Sequence, residues 1–152
     1  MQKSFTVKRI LFQALFIALV IPVAWAGPAA PVINVYKSPS CGCCGKWIDH
    51  LKANGFAVHS YDTANVFQHK IRLGIPQGYD SCHTAEVGGY VIEGHVPAQD
   101  IKRLLKERPQ ARGLTVPGMP VGAPGMEQGN LKEAYDVILL DKDGRPQVYS
   151  RH

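Results

Sequence analysis

Three cysteines fall within four positions near the start of the chain, in the segment KSPSCGCCGKW at 37–47. They are Cys41, Cys43 and Cys44, and the fourth cysteine of the chain is Cys82. Cysteine thiolates are nucleophiles and also soft metal ligands. Cys41 and Cys44 have the spacing of a redox dithiol, whereas a third cysteine between them is unusual for one. The segment therefore predicts sulfur chemistry, as a metal site, a redox pair or a disulfide.

The elements around this segment place the three sulfurs at the start of a helix. A buried strand is predicted over 32–36, and a helix opens near 41–44 with Trp47, Ile48 and Leu51 on its apolar face. The free N–H groups and positive dipole end of a helix N-terminus favour a thiolate over a thiol. Lys46 adds a positive charge nearby. The site is therefore predicted to stabilise thiolates.

The rest of the chain predicts one α/β domain. Strands are predicted over 56–62, 84–87 and 90–94, with helices over 64–73 and between Pro97 and Pro109. A Gly/Pro-rich loop without periodicity follows at 113–129, and a hairpin with Asp143-Gly144 in its turn closes the chain. A strand leading into a CxxC that opens a helix is typical of a thioredoxin-like fold. We expect a three-layer fold with a central mixed sheet in the order β-α-β-α-β-β-α; the alternative is a generic α+β domain.

Cys82 and His83 occupy the loop before the third predicted strand. In thioredoxin-like folds this loop packs against the CxxC and presents a proline, but the segment DSCHT at 80–84 has none. We therefore expect four sulfurs and the His83 imidazole to converge. The alternatives are that Cys82 is a small buried residue or a disulfide partner, and that His83 is a hydrogen-bonded loop residue.

Three sulfur ligands on one tight turn suit Cu(I), which accepts two or three sulfurs and forms thiolate-bridged clusters. Zinc fits less well, because structural zinc sites generally combine two ligand pairs, each with residues between its two ligands. The second pair here would be the adjacent residues Cys82 and His83. Met119 and Met126 in the Gly/Pro loop are weaker candidates, since loop methionines more often cover a core edge. His95 follows Gly94 in a turn and could approach the site, but its spacing does not require this. It is therefore grouped with the histidines expected to be ordinary polar residues: His50, His59, His69 and His152.

The first 26 residues have the features of a signal peptide. Lys3, Lys8 and Arg9 precede an apolar run at 10–24, and Ala24-Trp25-Ala26 is a small-x-small cleavage pattern. We predict cleavage after Ala26 and one metal-binding domain over 27–152; the alternative is an uncleaved anchor. The chain carries +5, and three of those charges lie in this leader, which leaves +2 without a basic block. We therefore expect neither a nucleic-acid partner nor a membrane partner after cleavage.

The chain resembles the CopG-type copper-resistance proteins. The resemblance rests on YKSPSCGCCGKW, SCHTAEVGGYVIEGHVPAQDIKRLL, GLTVPGMPVGAPGME and YDVILLDKDG, and runs from about 32 to 152. It implies a thioredoxin-like fold, a periplasmic location, copper binding through the cysteine cluster and a redox role toward copper or its carriers. Carried over to this sequence, the cluster positions are Cys41, Cys43, Cys44 and Cys82, followed by His83.

Three functions are compatible with these residues. The leading hypothesis is an exported protein of copper resistance that holds Cu(I) in the cysteine cluster and couples cysteine oxidation to a change in copper redox state. A second is a periplasmic thiol–disulfide oxidoreductase in which Cys41 attacks and Cys44 resolves. A third is a metallochaperone that hands copper to a transporter or an oxidase. Copper ions and other periplasmic copper-resistance proteins are the expected partners. The first and third describe binding proteins, and the second describes an enzyme.

Overall fold

The computed structural model describes residues 31–152, so the predicted signal peptide lies outside the described residues. Within this range no helix has the length and apolar character needed to cross a membrane. The elements, in chain order, are β1 (Ile33–Lys37), α1 (Gly42–Ala53), β2 (Val58–Asp62), α2 (Val66–Leu73), β3 (Thr84–Val87), β4 (Tyr90–Glu93), α3 (Ala98–Glu107), β5 (Ala111–Thr115), β6 (Asp136–Asp141) and β7 (Pro146–Arg151).

The strands form one seven-stranded mixed sheet in the order β2-β1-β3-β4-β5-β6-β7. β1 runs parallel to β2 and β4 runs parallel to β5, while the other neighbours are antiparallel. The first seven elements have the predicted order, and β6 and β7 are the predicted closing hairpin. The α/β class with a central mixed sheet is confirmed; its assignment as thioredoxin-like stays a prediction.

Strand β5 was not predicted. It covers Ala111–Thr115 and therefore overlaps the start of the segment expected to be a loop at 113–129. Gly113 pairs with Val91 of β4, and a Cβ built at Gly113 would collide with the backbone of Val91. Glycine is unfavourable in strands by propensity, but here it permits the two backbones to approach closely. The loop therefore starts only after Val116, and β5 extends the sheet toward the C-terminal hairpin.

The two faces of the sheet differ in character. Val35, Ala85, Ile92 and Leu114 are successive cross-strand partners in β1, β3, β4 and β5, and all are buried in the core. The same core contains side chains of α1 and α3, namely Trp47, Ile48, Leu51, Ile101 and Leu104. Because side chains alternate along a strand, the neighbouring row points to the opposite face. That row contains the buried polar residues Thr84, Glu93 and Thr115.

Helix α2 covers this polar face. Asn65 caps its start by accepting a hydrogen bond from the Gln68 N–H. Its apolar residues Phe67 and Ile71 are 68% and 63% exposed, whereas Lys70 is buried. Lys70 can be buried because the sheet surface beneath α2 is polar and offers it the carboxylate of Glu93.

Candidate metal centre

The N-terminus of α1 carries the three clustered cysteines. Cys41 is its N-cap residue, and Cys41 and Cys44 are joined by a disulfide with a Cα–Cα distance of 5.4 Å. Cys44 is buried, whereas Cys41 and Cys43 are partly exposed. Gly42 has nothing within 4 Å of a built Cβ, so the helix start is open on that side. The disulfide leaves Cys43 and Cys82 as the free thiols of the described chain.

All four sulfurs come together, as the sequence predicted. The Cys43 sulfur lies 3.5 Å from that of Cys41 and 3.8 Å from that of Cys82. The Cys82 sulfur lies 3.6 Å from that of Cys44. The four Sγ atoms lie within 4.8 Å of one another, which is a spacing that one metal ion or a small thiolate-bridged cluster can use once the disulfide is reduced.

Two imidazoles complete a second group around Cys82. Nδ1 of His83 lies 3.4 Å from the Cys82 sulfur, and Nε2 of His95 lies 3.2 Å from it. The two rings are 5.1 Å apart in an edge-to-face arrangement. Cys82 therefore belongs to both groups of candidate ligands, one made of four sulfurs and one made of a sulfur and two nitrogens.

His95 has a defined tautomer. Its Nδ1 lies 2.8 Å from the Pro124 carbonyl oxygen, which can only accept a hydrogen bond, so Nδ1 carries the proton. Nε2 consequently presents its lone pair to Cys82. Burial lowers the pKa of His95, so the ring stays neutral. A neutral imidazole whose second nitrogen is held by a carbonyl is the usual form of a histidine that binds a metal.

His83 is fully buried against the ring of Trp47, with ring centroids 4.3 Å apart. The Trp47 indole is itself fixed, because Nε1 donates to the Val96 carbonyl at 2.9 Å. Burial, followed by the charges of His95 and Lys70, lowers the pKa of His83 well below its ordinary value. Its Nε2 has no hydrogen-bond partner in the described part of the chain. His83 is thus a neutral imidazole held beside the Cys82 sulfur, and it is not part of the four-sulfur group.

Cys82 lies outside the helix N-terminus that favours thiolates, and it is protonated in the metal-free site. Burial, with a smaller contribution from the neighbouring Cys43 thiol, raises its pKa to about 12. At neutral pH Cys82 is therefore a thiol that can donate its proton to Nε2 of His95. A metal ion that binds this sulfur must displace that proton.

The Gly/Pro loop packs over the site from above. A Cβ built at Gly125 would lie 2.8 Å from both the Cys43 carbonyl oxygen and the Trp47 nitrogen, so only glycine permits this approach. The preceding residue supplies the carbonyl that binds His95. Met119 on the same loop is 52% exposed and Met126 is partly buried. A role for either methionine in metal binding stays a prediction.

The other histidines lie away from the sulfurs or have structural partners. Nε2 of His50 accepts a hydrogen bond from the Ala98 N–H at the start of α3, at 3.1 Å. His59 is exposed on β2, and the His69 ring stacks on Tyr36 with centroids 4.0 Å apart. His152 binds the buried Asp100 at 2.8 Å. For these four histidines the structure agrees with the prediction of ordinary polar roles.

His95 was left open as a ligand by the sequence, although its position beside Cys82 could have been inferred from the pairing of β3 with β4. Gly88-Gly89 make a two-residue turn between β3 and β4, which pairs Val87 with Tyr90 and Thr84 with Glu93. Extending that register by two residues places Cys82 opposite His95. The Gly94 N–H, which donates to the His83 carbonyl at 3.2 Å, continues the ladder in that direction.

The comparisons with known proteins agree with this architecture. The family described as "Protein of unknown function, DUF411" matches residues 79–126, which include Cys82, His83 and His95. Two solved structures of the copper resistance protein CopG, Form 2 and Form 1, are 46% identical to the chain, with TM-scores of 0.78 and 0.77. Each match covers 81% of this chain and 98% of the CopG chain. The chain belongs to the CopG family. Among curated proteins, none matches it.

The match to the CopG structures extends over most of the chain. The aligned share of 81% is close to the share of the chain that residues 31–152 represent. The match to the CopG structures is consistent with the observed sheet and helices. The family assignment therefore agrees with the observed fold.

Proposed function

We propose that the protein is an exported copper-binding protein of copper resistance that holds Cu(I) through Cys41, Cys43, Cys44 and Cys82. The single observation that carries this proposal is the crowding around Cys82, whose sulfur has sulfur and nitrogen neighbours at 3.2–3.8 Å. We include His83, as predicted, and add His95 as the nitrogen donors. The CopG structures it resembles are described as copper resistance proteins, which supports copper as the metal.

The donor set favours Cu(I) over zinc. Thiolates are soft ligands that select Cu(I) strongly, and neutral imidazoles are also good copper donors. Four sulfurs that share a small volume can bridge several Cu(I) ions, whereas a structural zinc site needs four ligands arranged as a tetrahedron. The signal-peptide pattern supports a periplasmic location, where copper must be kept from damaging exposed thiols.

The disulfide between Cys41 and Cys44 supports a redox role as part of this proposal. Two thiols and two Cu(II) ions give one disulfide, two Cu(I) ions and two protons. Forming the Cys41–Cys44 bond removes two of the four thiolates and so weakens the site for Cu(I). Reduction of the disulfide by an external dithiol restores them. The two states would thus take up and release copper.

A thiol–disulfide oxidoreductase is the second candidate, and the same disulfide favours it. Cys41 is the partly exposed member of the bonded pair and Cys44 is buried, as expected for an attacking and a resolving cysteine. In this function a protein disulfide would be the substrate and copper would be incidental. Delivery of copper to other periplasmic copper-resistance proteins uses the same ligands and remains a proposal about partners.

An anaerobic Cu(I) titration of the fully reduced protein against a competing chelator tests the proposal. We expect tight binding in which all four thiols become protected from alkylation together. Cys82→Ser is expected to weaken binding strongly, because it removes the ligand shared by both groups, whereas His59→Ala on the exposed strand β2 is the matched control. Loss of copper to the chelator, with the protein still turning over a protein disulfide, would instead support the oxidoreductase.

A further inference from the structure

A buried ion pair lies on the polar face of the sheet, below α2. Lys70 donates from Nζ to Oε1 of Glu93; the Lys70 side chain is 9% exposed and the Glu93 side chain is fully buried. Burying two charges costs several kcal/mol per ion, and their attraction repays this only with good geometry and further hydrogen bonds. A buried pair is therefore weak evidence for stability by itself. The further hydrogen bond of Glu93, to the Ser81 N–H, indicates a second role for the pair.

Glu93 also binds the backbone of the loop that carries Cys82. The same Oε1 atom accepts a hydrogen bond from the Ser81 N–H at 2.7 Å. Ser81 is the residue immediately before Cys82. Its hydroxyl donates to the Gly118 carbonyl, and the Gly118 N–H donates to the Asp80 carbonyl at 3.3 Å. Of these hydrogen bonds, the one to the Glu93 carboxylate is the bond that connects the Asp80–Ser81 segment to the sheet.

The position of Glu93 links the Cys82 sulfur to the imidazole of His95. Glu93 is the last residue of β4, and His95 follows two residues later with Nε2 3.2 Å from the Cys82 sulfur. Gly94 between them has φ +70°, and a Cβ there would lie 2.7 Å from the Ser81 Cβ. The end of β4 thus holds the Cys82 loop through the Glu93 side chain, and its backbone leads directly to His95.

We propose that Glu93 is a positioning residue for Cys82, and that Lys70 of α2 holds the Glu93 carboxylate in place on the polar face of the sheet. Neither residue belongs to the groups of candidate metal ligands. The pair fixes the Ser81 amide, and thereby the distance between the Cys82 sulfur and the donors around it. The consequence for copper rests on the proposed function above, but the placement of the Cys82 thiol does not.

Two double variants separate positioning from simple stabilisation. Both Lys70→Met/Glu93→Gln and Lys70→Met/Glu93→Leu remove the ion pair and leave no unpaired charge. The glutamine keeps a carbonyl oxygen for the Ser81 N–H, and its NH₂ group can turn to the hydroxyl of Thr84, the direct cross-strand partner of Glu93. The leucine offers the Ser81 N–H no acceptor. The two variants therefore differ mainly in whether residue 93 accepts the hydrogen bond from the Ser81 N–H.

The main measurement is the alkylation rate of Cys82 relative to Cys43 in the reduced, metal-free protein, followed by Cu(I) affinity. We expect the leucine variant to alkylate at Cys82 about tenfold faster and to bind Cu(I) about tenfold more weakly than the glutamine variant, the size of loss typical for outer contacts of a metal site. Glu86→Gln is the matched control, because Glu86 lies on the same sheet face and, within residues 31–152, its carboxylate binds only the side chains of Tyr36 and Arg72. It should change neither quantity.

Equal Cys82 reactivity and equal Cu(I) affinity in the two double variants would overturn the proposal. If the leucine variant does not fold, hydrogen exchange of the Ser81 amide in the wild-type protein decides: strong protection supports the bond to Glu93, and exchange at the rate of a free loop amide refutes it. If the wild type binds no Cu(I) but the alkylation rates still differ, the proposed function fails and the positioning role of Glu93 stands.

Discussion

The Cys82 thiol and the His95 ring act on each other as an acid and a base. The carbonyl of Pro124 holds the proton of His95 on Nδ1, so Nε2 faces the Cys82 sulfur with a lone pair. Burial keeps Cys82 protonated at neutral pH, with a pKa of about 12. In the proposed site, copper would displace the Cys82 proton and leave Nε2 free to bind the metal as well. The two residues would then act as a single unit in metal binding.

His95→Ala is expected to weaken Cu(I) binding by about tenfold, within the range seen when contacts around a metal site are lost. The reason is that the variant removes one donor and the hydrogen-bond acceptor of the Cys82 thiol, while the four cysteines remain. Competition with a chelator measures the affinity, and alkylation counts the thiols. His59→Ala, an exposed substitution on β2, should bind copper like the wild type. Unchanged affinity in the His95 variant would restrict the site to sulfur ligands.

At the scale of elements, local patterns predicted well where the core is apolar. Helix α1 and strands β1, β3 and β4 were found close to their predicted ranges, because their buried side chains alternate or repeat as such patterns require. Strand β5 and the face of α2 were missed, since they depend on partners distant in sequence: the Val91 backbone for Gly113, and Glu93 for Lys70. The meeting of the four sulfurs was predictable from the fold. The position of His95 beside Cys82 could be inferred only from the register of the β3–β4 hairpin.

The Gly/Pro loop supports the site although it has no regular secondary structure. Gly125 has φ +86°, and its built Cβ would meet the backbone of Cys43 and Trp47 at 2.8 Å. Gly125→Ala is therefore expected to lift the loop, withdraw the Pro124 carbonyl from His95 and weaken Cu(I) binding. Its cost in unfolding free energy should be roughly 3 kcal/mol, from the positive φ and the overpacking together.

Gly129→Ala is the matched control for this loop. Gly129 also has a positive φ, +57°, but nothing lies within 4 Å of its built Cβ. It should lose only about 1–2 kcal/mol from the backbone conformation and bind copper normally. Urea unfolding and the Cu(I) titration measure both quantities. Equal losses in the two variants would show that the close approach of Gly125 to α1 does not support the site.

For the molecule as a whole, buried neutral histidines make stability depend on pH. Burial lowers the pKa of both His83 and His95, so the folded protein keeps these rings uncharged while the unfolded chain protonates them near pH 6.5. The unfolded state therefore binds more protons, and stability falls as the pH falls below about 6.5, by up to about 1.4 kcal/mol per pH unit for each ring. Glu93 acts in the opposite sense, because burial raises its pKa and the folded state holds that proton more tightly.

We expect the metal-free protein, kept in its disulfide form, to have a lower unfolding free energy at pH 5 than at pH 7. His95→Gln isolates one ring, because the glutamine NH₂ group can still donate to the Pro124 carbonyl but does not titrate. Since Glu93 is present in both proteins, its opposing contribution cancels when their pH dependences are subtracted. The variant should therefore lose less stability than the wild type between pH 7 and pH 5, by up to about 2 kcal/mol over the 1.5 units below pH 6.5. Parallel pH profiles would mean that His95 takes up a proton equally in the folded and unfolded states, and hence that it is not held neutral beside Cys82.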